Sequence, residues 1–252
     1  METLYGFFEK NPKAALAFSG GVDSAYLLYA AKDAGADVKA YYVKTDFQPE
    51  FELEDARRLA EELGADMEII YLDVLADPMV EANPADRCYH CKKHIFRAII
   101  DHAQKDGYDL VMDGTNASDD PGDRPGVRAL REYGVRSPLR DCGLTKADIR
   151  VLSREAGLFT WDKPAYACLA TRIQTDQKII YKTLKAVETC EGMMADLGFR
   201  DFRVRVRGEK ALVQIREKDR ELFDKEEEYI MDNLSVYFAR AELDPVYRKS
   251  EL

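Results

Sequence analysis

Ser19-Gly20-Gly21-Val22-Asp23-Ser24 follows the apolar run Ala14 to Phe18 and precedes a helical pattern that opens near Asp23 and runs through Ala25, Leu27, Leu28, Ala30 and Ala31. A strand that feeds a helix through a glycine turn is an anion site. Gly20 and Gly21 allow positive φ, so backbone N–H groups can close on the anion, and the positive end of the helix faces the same point. Ser19 and Ser24 add hydroxyl donors, and the six residues together form the candidate ATP loop. No Gly-x-x-x-x-Gly-Lys-Ser/Thr string occurs, so the loop has no lysine of its own. Such a loop suits a pyrophosphate that leaves, which implies attack at the α-phosphate and an adenylate product. Asp23, an acid beside phosphates, is the candidate partner for Mg²⁺.

Working outward, Gly35 ends this helix and Val38 to Val43 is a second apolar run. Lys44, Thr45 and Asp46 lie at its C-terminal end, where an open α/β sheet places its ligands, and Thr45 joins the candidate ATP site. Residues 52–63 carry Leu53, Ala56, Leu59, Ala60 and Leu63 at helical spacing, and Met67 to Leu72 reads as a third strand. A helix over His94 to Gln104 and a fourth strand over Tyr108 to Met112 complete a doubly wound, mainly parallel α/β pattern. The fourth strand runs into Asp113-Gly114-Thr115-Asn116-Ala117-Ser118-Asp119-Asp120. Gly114, Asn116 and Asp120 are candidates for holding nucleotide or Mg²⁺, although the same string also reads as simply turn-forming. Thr145 with Asp148 predicts a capping box, and Phe159 to Ile173, which has no period and holds Trp161, Lys163 and Cys168, reads as an active-site loop.

From about Thr175 the character changes. A long helix marked by Ile179 to Leu197 is followed by the alternating strand Phe202 to Arg207, which turns at Gly208 into Ala211 to Ile215. An acidic helix over 218–234 and a last strand at Val236 to Ala239 follow. The predicted organisation is a nucleotide-binding domain over 1–174 and a smaller α+β domain over 175–252.

The hydrophobic fraction of 46% and charged fraction of 33% are those of a globular protein. No apolar run reaches membrane-spanning length and no signal-peptide pattern opens the chain, so the expectation is a cytoplasmic protein without a membrane partner. Net charge is −10, from 37 basic and 47 acidic residues, which disfavours nucleic acid as a partner.

Five cysteines suit reduced thiols engaged in metal or redox chemistry better than a disulfide framework. Cys88-Tyr89-His90-Cys91 spaces two thiolates for one metal, and Cys168, in the irregular loop, is the candidate third ligand. Three thiolates on a [4Fe-4S] cluster leave one iron open to a small ligand such as hydrosulfide. The alternatives are a zinc site completed by His90 and His94, and a redox dithiol. Cys190 reads as a buried structural thiol. Arg203, Arg205 and Arg207 share one strand face, which suits either a phosphate guest or a solvated face paired with carboxylates.

Together these residues resemble the PP-loop ATP pyrophosphatase superfamily, and within it the LarE family of sulfur transferases that build the nickel-pincer nucleotide cofactor. The resemblance spans most of the chain. It rests on Ser19 to Ser24, Asn83-Pro84 with Arg87 to Lys92, Asp113 to Asn116 with Asp119-Asp120, Pro125 to Leu130, Ser137-Pro138-Leu139, Lys163-Pro164 with Cys168 to Arg172, and Arg203-Val204-Arg205. It implies an ATP-dependent sulfurtransferase that adenylates a carboxylate of pyridinium-3,5-biscarboxylic acid mononucleotide, with Cys168 as the sulfur-bearing residue. It further implies that Arg203 and Arg205 hold the phosphate of this small-molecule nucleotide, that the C-terminal domain binds substrate, and that the protein forms a homo-oligomer. Such a family either consumes the cysteine, leaving dehydroalanine, or uses a cluster on three cysteines; Cys88, Cys91 and Cys168 favour the second route. Gln214 stands where the family's pattern calls for a carboxylate. The rival expectations are a tRNA thiolase, an ammonia-dependent synthetase and a nucleotide-binding sensor without turnover.

Overall fold

A computed structural model describes residues 3–119 and 125–248. Its elements, numbered in chain order, are α1 (Leu4–Lys10), β1 (Lys13–Ala17), α2 (Val22–Asp33), β2 (Asp37–Lys44), α3 (Glu50–Glu62), β3 (Asp66–Tyr71), α4 (Pro78–Glu81), α5 (Arg87–Lys105), β4 (Val111–Asp113), α6 (Pro125–Glu132), α7 (Pro138–Asp141), α8 (Lys146–Glu155), α9 (Tyr181–Asp196), β5 (Arg203–Arg207), β6 (Lys210–Gln214), α10 (Arg220–Ser235) and β7 (Arg240–Leu243). They form two compact units, Met1–Val74 with Asp86–Lys163, and Leu75–Ala85 with Pro164–Leu252.

The first unit is a parallel sheet in the order β3-β2-β1-β4. The strands are short and apolar because both faces are covered, as a parallel sheet requires. Successive residues of β1 point to opposite sides. Ala14 and Leu16 join Leu27, Leu28, Leu53, Leu59 and Ile149 on the side of α1, α2, α3, α7 and α8. Ala15 joins Tyr41, Val43, Ile70, Phe96 and Ile99 on the side of α5 and α6. Each fully buried leucine contributes roughly 1.5–3 kcal/mol. The expected doubly wound α/β arrangement is therefore the observed one. Connections run from β1 outward to β3 and then return to β4 on the other side of β1, where Ala17 pairs Asp113. This reversal of direction opens a crevice at the C-terminal ends of β1 and β4, the place where open α/β sheets bind ligands.

In the second unit β5 pairs β6 antiparallel and β6 pairs β7 parallel, with α9 and α10 packed on the sheet. The segment Leu75–Ala85 is tied in by Asn83, whose Nδ2 donates to the Gln174 carbonyl at 2.9 Å, and by Ile179 N–H to the Glu81 carbonyl at 2.8 Å. No described helix is long and apolar enough to cross a membrane.

Several elements differ from the sequence pattern. α5 begins at Arg87 instead of His94, because its first turn carries polar side chains and the apolar stripe starts only at Cys91. β4 begins at Val111; Tyr108 is spent in the approach, donating to Asp37 at 2.9 Å. The last strand is Arg240–Leu243, while Val236 and Tyr237 are exposed at the end of α10.

One polar network ties the α5 face together. Lys39 Nζ on β2 lies 2.8 Å from Glu68 Oε2 and 2.6 Å from Asp106 Oδ2. Tyr41 donates to Asp106 at 2.7 Å, and His102 Nδ1 is 2.5 Å from Glu68 Oε1. The Lys39 hydrogen bonds, above all, hold both carboxyls below their ordinary range. A carboxylate depressed on folding contributes stability that is present above its unfolded pKa, about 4, and is lost as pH falls through the folded value. Lys39→Met is therefore expected to lower Tm at pH 7 by an amount that shrinks as the solution is acidified below the ordinary carboxylate range; an offset constant with pH would contradict this.

Candidate active site

Three loops meet at the C-terminal edge of the first unit's sheet. In the first, Ser19–Ser24, only Gly20 takes positive φ (70°); Gly21 is the extended N-cap of α2, which starts one residue earlier than the sequence pattern placed it. A Cβ on Gly20 would stand 3.0 Å from Ala56 Cβ, so both backbone conformation and the approach of α3 call for glycine here. The serines brace the turn. Ser19 Oγ and Ser24 Oγ are 3.1 Å apart, Ser24 Oγ donates to the Gly21 carbonyl at 3.2 Å, and Ser19 N–H donates to Ser24 Oγ at 3.3 Å. Val22 and Ser24 are buried and Ser19 is exposed.

The second loop follows β2. Thr45 is buried and holds its own turn: its Oγ1 donates to Gln48 Oε1 at 2.8 Å and accepts from Phe47 N–H at 3.0 Å. The third follows β4 and packs directly on α2. A Cβ on Gly114 would fall 2.8 Å from Ser24 N and 3.1 Å from Ser24 Cα, so the two backbones meet at a distance only glycine permits. Asn116, buried, caps the loop by accepting from Ser118 N–H at 2.8 Å and donates to Asp23 Oδ1 at 3.4 Å. Asp119 accepts from Asn116 N–H at 2.9 Å. Asp120 lies outside the described residues.

Asp23 stands in the first turn of α2, and burial raises its pKa above the ordinary value. Its carboxylate is a hard oxygen donor of the kind Mg²⁺ takes, and the charge of Asp119 is near enough to be felt. Sequence reasoning missed one member of this group: Lys146, the first residue of α8, whose Nζ lies 2.6 Å from Asp23 Oδ2. The signal available was the Thr145/Asp148 capping box, which the structure forms as expected and which fixes the residue between them.

Cys88 and Cys91 also belong to the first unit, one turn apart at the start of α5. Cys88 is exposed, with Arg87 Nη2 3.2 Å from its sulfur, and Cys91 is buried. Two sulfurs one helical turn apart can reach a single metal, so the spacing of the pair suits ligation. His90 faces Asp86 at 3.4 Å. No group of three or more His, Cys, Asp or Glu able to hold a metal occurs among the described residues.

Cys168 belongs to the second unit, at the head of the short turn Leu169–Arg172, half-buried. A single buried ion pair organises its surroundings. Arg172 (2% exposed) donates Nε and Nη2 to the two oxygens of Glu191, each at 2.9 Å, and turns Nη1 to the Ala167 carbonyl at 2.5 Å and the Cys168 carbonyl at 3.4 Å. Burial works against this charge, but the Glu191 hydrogen bonds keep Arg172 above its ordinary pKa. Glu191 also accepts from Tyr166 at 2.6 Å and from Val204 N–H at 2.8 Å, joining the cysteine loop to α9 and β5. Loss of one partner of such a pair costs roughly 3–5 kcal/mol.

The strand arginines divide. Arg203 is buried, donates to the Ala165 carbonyl at 2.9 Å, lies 5.1 Å from the Tyr166 ring, and is pushed down to about 10 by burial. Arg205 is half-buried and bonds Gln214 Oε1 at 3.0 Å; burial and then the charges of Arg248 and Arg172 lower its pKa. Arg207 is exposed. A neutral Gln214 leaves the positive charge of Arg205 uncompensated at that contact, a setting that favours an anion. Cys190 is buried on α9, its thiol pushed up to about 12 by burial, and Cys142 is buried at the end of α7.

A parallel α/β sheet whose first strand delivers Ser-Gly-Gly-Val-Asp-Ser to a helix N-terminus defines an ATP-using enzyme of the PP-loop type. Residues 13–93 match the family of the queuosine biosynthesis protein QueC. An uncharacterized protein of Synechocystis sp. is 37% identical over 217 residues, covering 85% of this chain and 80% of that protein. Pyridinium-3,5-bisthiocarboxylic acid mononucleotide synthase of Lactiplantibacillus plantarum is 33% identical over 217 residues, covering 85% of this chain and 79% of the synthase. The tRNA-specific 2-thiouridylase MnmA 2 of Clostridium botulinum is 28% identical over 181 residues, covering 59% of this chain and 51% of that enzyme. The chain belongs to the LarE family of the PP-loop superfamily and is an ATP-using enzyme of the sulfurtransferase kind.

The contact between Gly114 and Ser24 makes a direct prediction. Gly114→Ala must displace the start of α2, and is expected to weaken MgATP binding at least about tenfold, measured by calorimetry, with a stability loss of about 1–3 kcal/mol. Wild-type affinity in the folded variant would contradict the role given to this contact.

Proposed function

We propose that the chain adenylates one carboxylate of pyridinium-3,5-biscarboxylic acid mononucleotide, releases pyrophosphate and inserts sulfur to give a thiocarboxylate. The observation that carries this reading is the anion-binding loop at the head of α2, which has no lysine of its own, in a chain 33% identical to pyridinium-3,5-bisthiocarboxylic acid mononucleotide synthase. A carboxylate oxygen attacks the α-phosphorus, the bond to the β-phosphate oxygen breaks, and its electron pair leaves with pyrophosphate. The acyl-adenylate carbon then accepts a sulfur nucleophile, and the bond to AMP breaks. This order is sound chemically, since a carboxylate carbon is a poor electrophile until its oxygen becomes part of a good leaving group.

The residues take these roles. Backbone N–H groups of Ser19–Ser24 hold the pyrophosphate portion, with Thr45, Gly114, Asn116 and Asp120 around the nucleotide. Asp23 is the residue that would hold Mg²⁺, which neutralises phosphate charge. Arg203 and Arg205 bind the substrate's own phosphate, a contact favoured by the burial and mutual repulsion of the arginine charges gathered there. Cys168 bears or presents the sulfur. Cys88, Cys91 and Cys168 are the residues that would hold a [4Fe-4S] cluster, which would supply iron able to bind sulfide for transfer. The functional division is a nucleotide-binding part over 1–174 and a substrate-binding and oligomerising part over 175–252. The enzyme works in the cytoplasm as a homo-oligomer, and a net charge of −10 speaks for a small substrate and against RNA.

Anaerobic protein supplied with MgATP, the dicarboxylate nucleotide and sulfide is expected to yield thiocarboxylate by mass spectrometry, with equimolar pyrophosphate. Cys168→Ala should abolish the thiocarboxylate. Iron and acid-labile sulfide are expected in the wild type and should be lost in Cys88→Ala and Cys91→Ala. Iron-free protein in which Cys168 becomes dehydroalanine during turnover would replace the cluster route with the consumed-cysteine route. Thiocarboxylate formed at wild-type levels by Cys168→Ala would overturn the role of this residue.

A further inference from the structure

Phe159–Asp162 forms a short turn, and Lys163 is the last residue of the first unit before the chain passes to Pro164. A residue before proline is kept out of the helical region, and Lys163 accordingly leaves the turn extended, at φ −59° and ψ 125°. One face of α3 grips this segment. Phe51, Asp55 and Arg58 are spaced by four and three residues, so their side chains lie one above another on the helix. The Arg58 guanidinium is 4.1 Å from the centre of the Phe159 ring. Lys163 Nζ is 2.6 Å from Asp55 Oδ2 and 5.6 Å from the centre of the Phe51 ring. From α8, Arg150 donates Nη1 to the Trp161 carbonyl at 2.6 Å and Nη2 to the Lys163 carbonyl at 3.0 Å.

The same stretch of α3 walls the Ser19–Ser24 loop. A Cβ on Gly20 would stand 3.0 Å from Ala56 Cβ, 3.2 Å from Ala56 Cα and 3.3 Å from Ala56 N, so Gly20 faces the start of Ala56 where it joins Asp55. Backbone cannot yield as the tip of a side chain can, and close packing passes a shift of that peptide link straight to Gly20. α3 brings few other restraints to this point: Pro49, its N-cap, makes no side-chain cap bond, and Ala56 and Ala60 are two of its buried residues. The Lys163 side chain is 14% exposed, and a pair so far from water is screened little by salt.

We infer that Lys163 is a positioning residue for ATP: through Asp55 it holds the Asp55–Ala56 link against Gly20, and so sets the shape of Ser19–Ser24 without touching the nucleotide. The residue from which the chain sets out toward Cys168 thus also braces the ATP loop. The inference rests on the assignment of Ser19–Ser24 to ATP and on nothing about the acyl substrate or the sulfur source.

The test is calorimetric titration of the full chain with MgATP, which reports the dissociation constant and the number of sites separately. Lost stability alone lowers the number of sites through unfolded protein and leaves the dissociation constant unchanged. Lys163→Met is expected to raise the dissociation constant about three- to tenfold, the usual size of a coupling between contacting residues, and Lys163→Arg to recover most of that loss. Asp55→Ala should match Lys163→Met, and the double variant should lose no more than either single one, as befits two residues that act as one. A dissociation constant within about twofold of wild type in Lys163→Met overturns the inference. So does a loss in Lys163→Met that Asp55→Ala does not share, which would put the ammonium on the nucleotide itself. If Lys163→Met does not fold, Lys163→Gln and Asp55→Ala carry the same comparison. A wild type that binds no MgATP fails the reading of the ATP loop, whereas normal wild-type binding with unaffected variants fails the role of Lys163 alone.

Discussion

The backbone contact between Gly114 and Ser24 is the constraint around which the nucleotide end of this molecule is built. It presses the loop after β4 onto the first turn of α2 at a separation that leaves no room for a Cβ. The two loops that flank the crevice at the β1/β4 reversal therefore act as one surface. Asn116 can reach Asp23 only because Gly114 brings its loop this close, and Ser118, two residues on, meets the first backbone N–H of α8. Through that chain of contacts the loop on β4 also fixes where Lys146 stands. A helix N-terminus, a carboxylate and an ammonium are thereby gathered around one point, each contributed by a different part of the first unit.

The second unit is organised on different physics. Its centre is a buried guanidinium whose hydrogen-bonding capacity is met by Glu191 and by backbone carbonyls around Cys168. Taking a charge out of water is costly, and it is tolerated here because Glu191 answers Arg172 with both oxygens. The result is an irregular segment held by one residue that touches its carbonyls, which explains how a loop without secondary structure can present a thiol in a defined position. Around it Arg203 and Arg205 have lost water, Arg203 with a long ion pair to Asp201 at 3.8 Å and Arg205 with the neutral Gln214 at 3.0 Å. Burial has lowered the pKa of both, a condition that an arriving phosphate relieves.

Much of this was legible in the sequence. The glycine turn between an apolar strand and a helix, the order of strands and helices in the first unit, the capping box and the arginine strand all carry local signals and are present, while the bounds of α5, β4 and β7 differ from the pattern. What was not legible depends on contacts distant in the chain. Lys146 carries no mark of function in its own neighbourhood; its meaning comes from Asp23. Glu191 looks like one more acid on a helix of mixed character, and only the buried Arg172 makes it central. The sequence pattern opens α5 only at His94 because its first turn has no apolar stripe, yet the helix already includes Cys88 and Cys91. Gly21, taken with Gly20 as a positive-φ residue, is in fact extended and serves as a helix cap.

The account's central claim is that the carboxylate substrate is activated by attack on the α-phosphorus of ATP. It is tested most directly by supplying the dicarboxylate nucleotide with ¹⁸O in its carboxylates and following the label by mass spectrometry. Adenylation followed by displacement with sulfur transfers one carboxylate oxygen to AMP, so AMP should carry a single ¹⁸O for each thiocarboxylate formed. Label appearing in inorganic phosphate, with ADP as the nucleotide product, would place the attack at the γ-phosphorus and contradict the reading of Ser19–Ser24 as a pyrophosphate-binding loop.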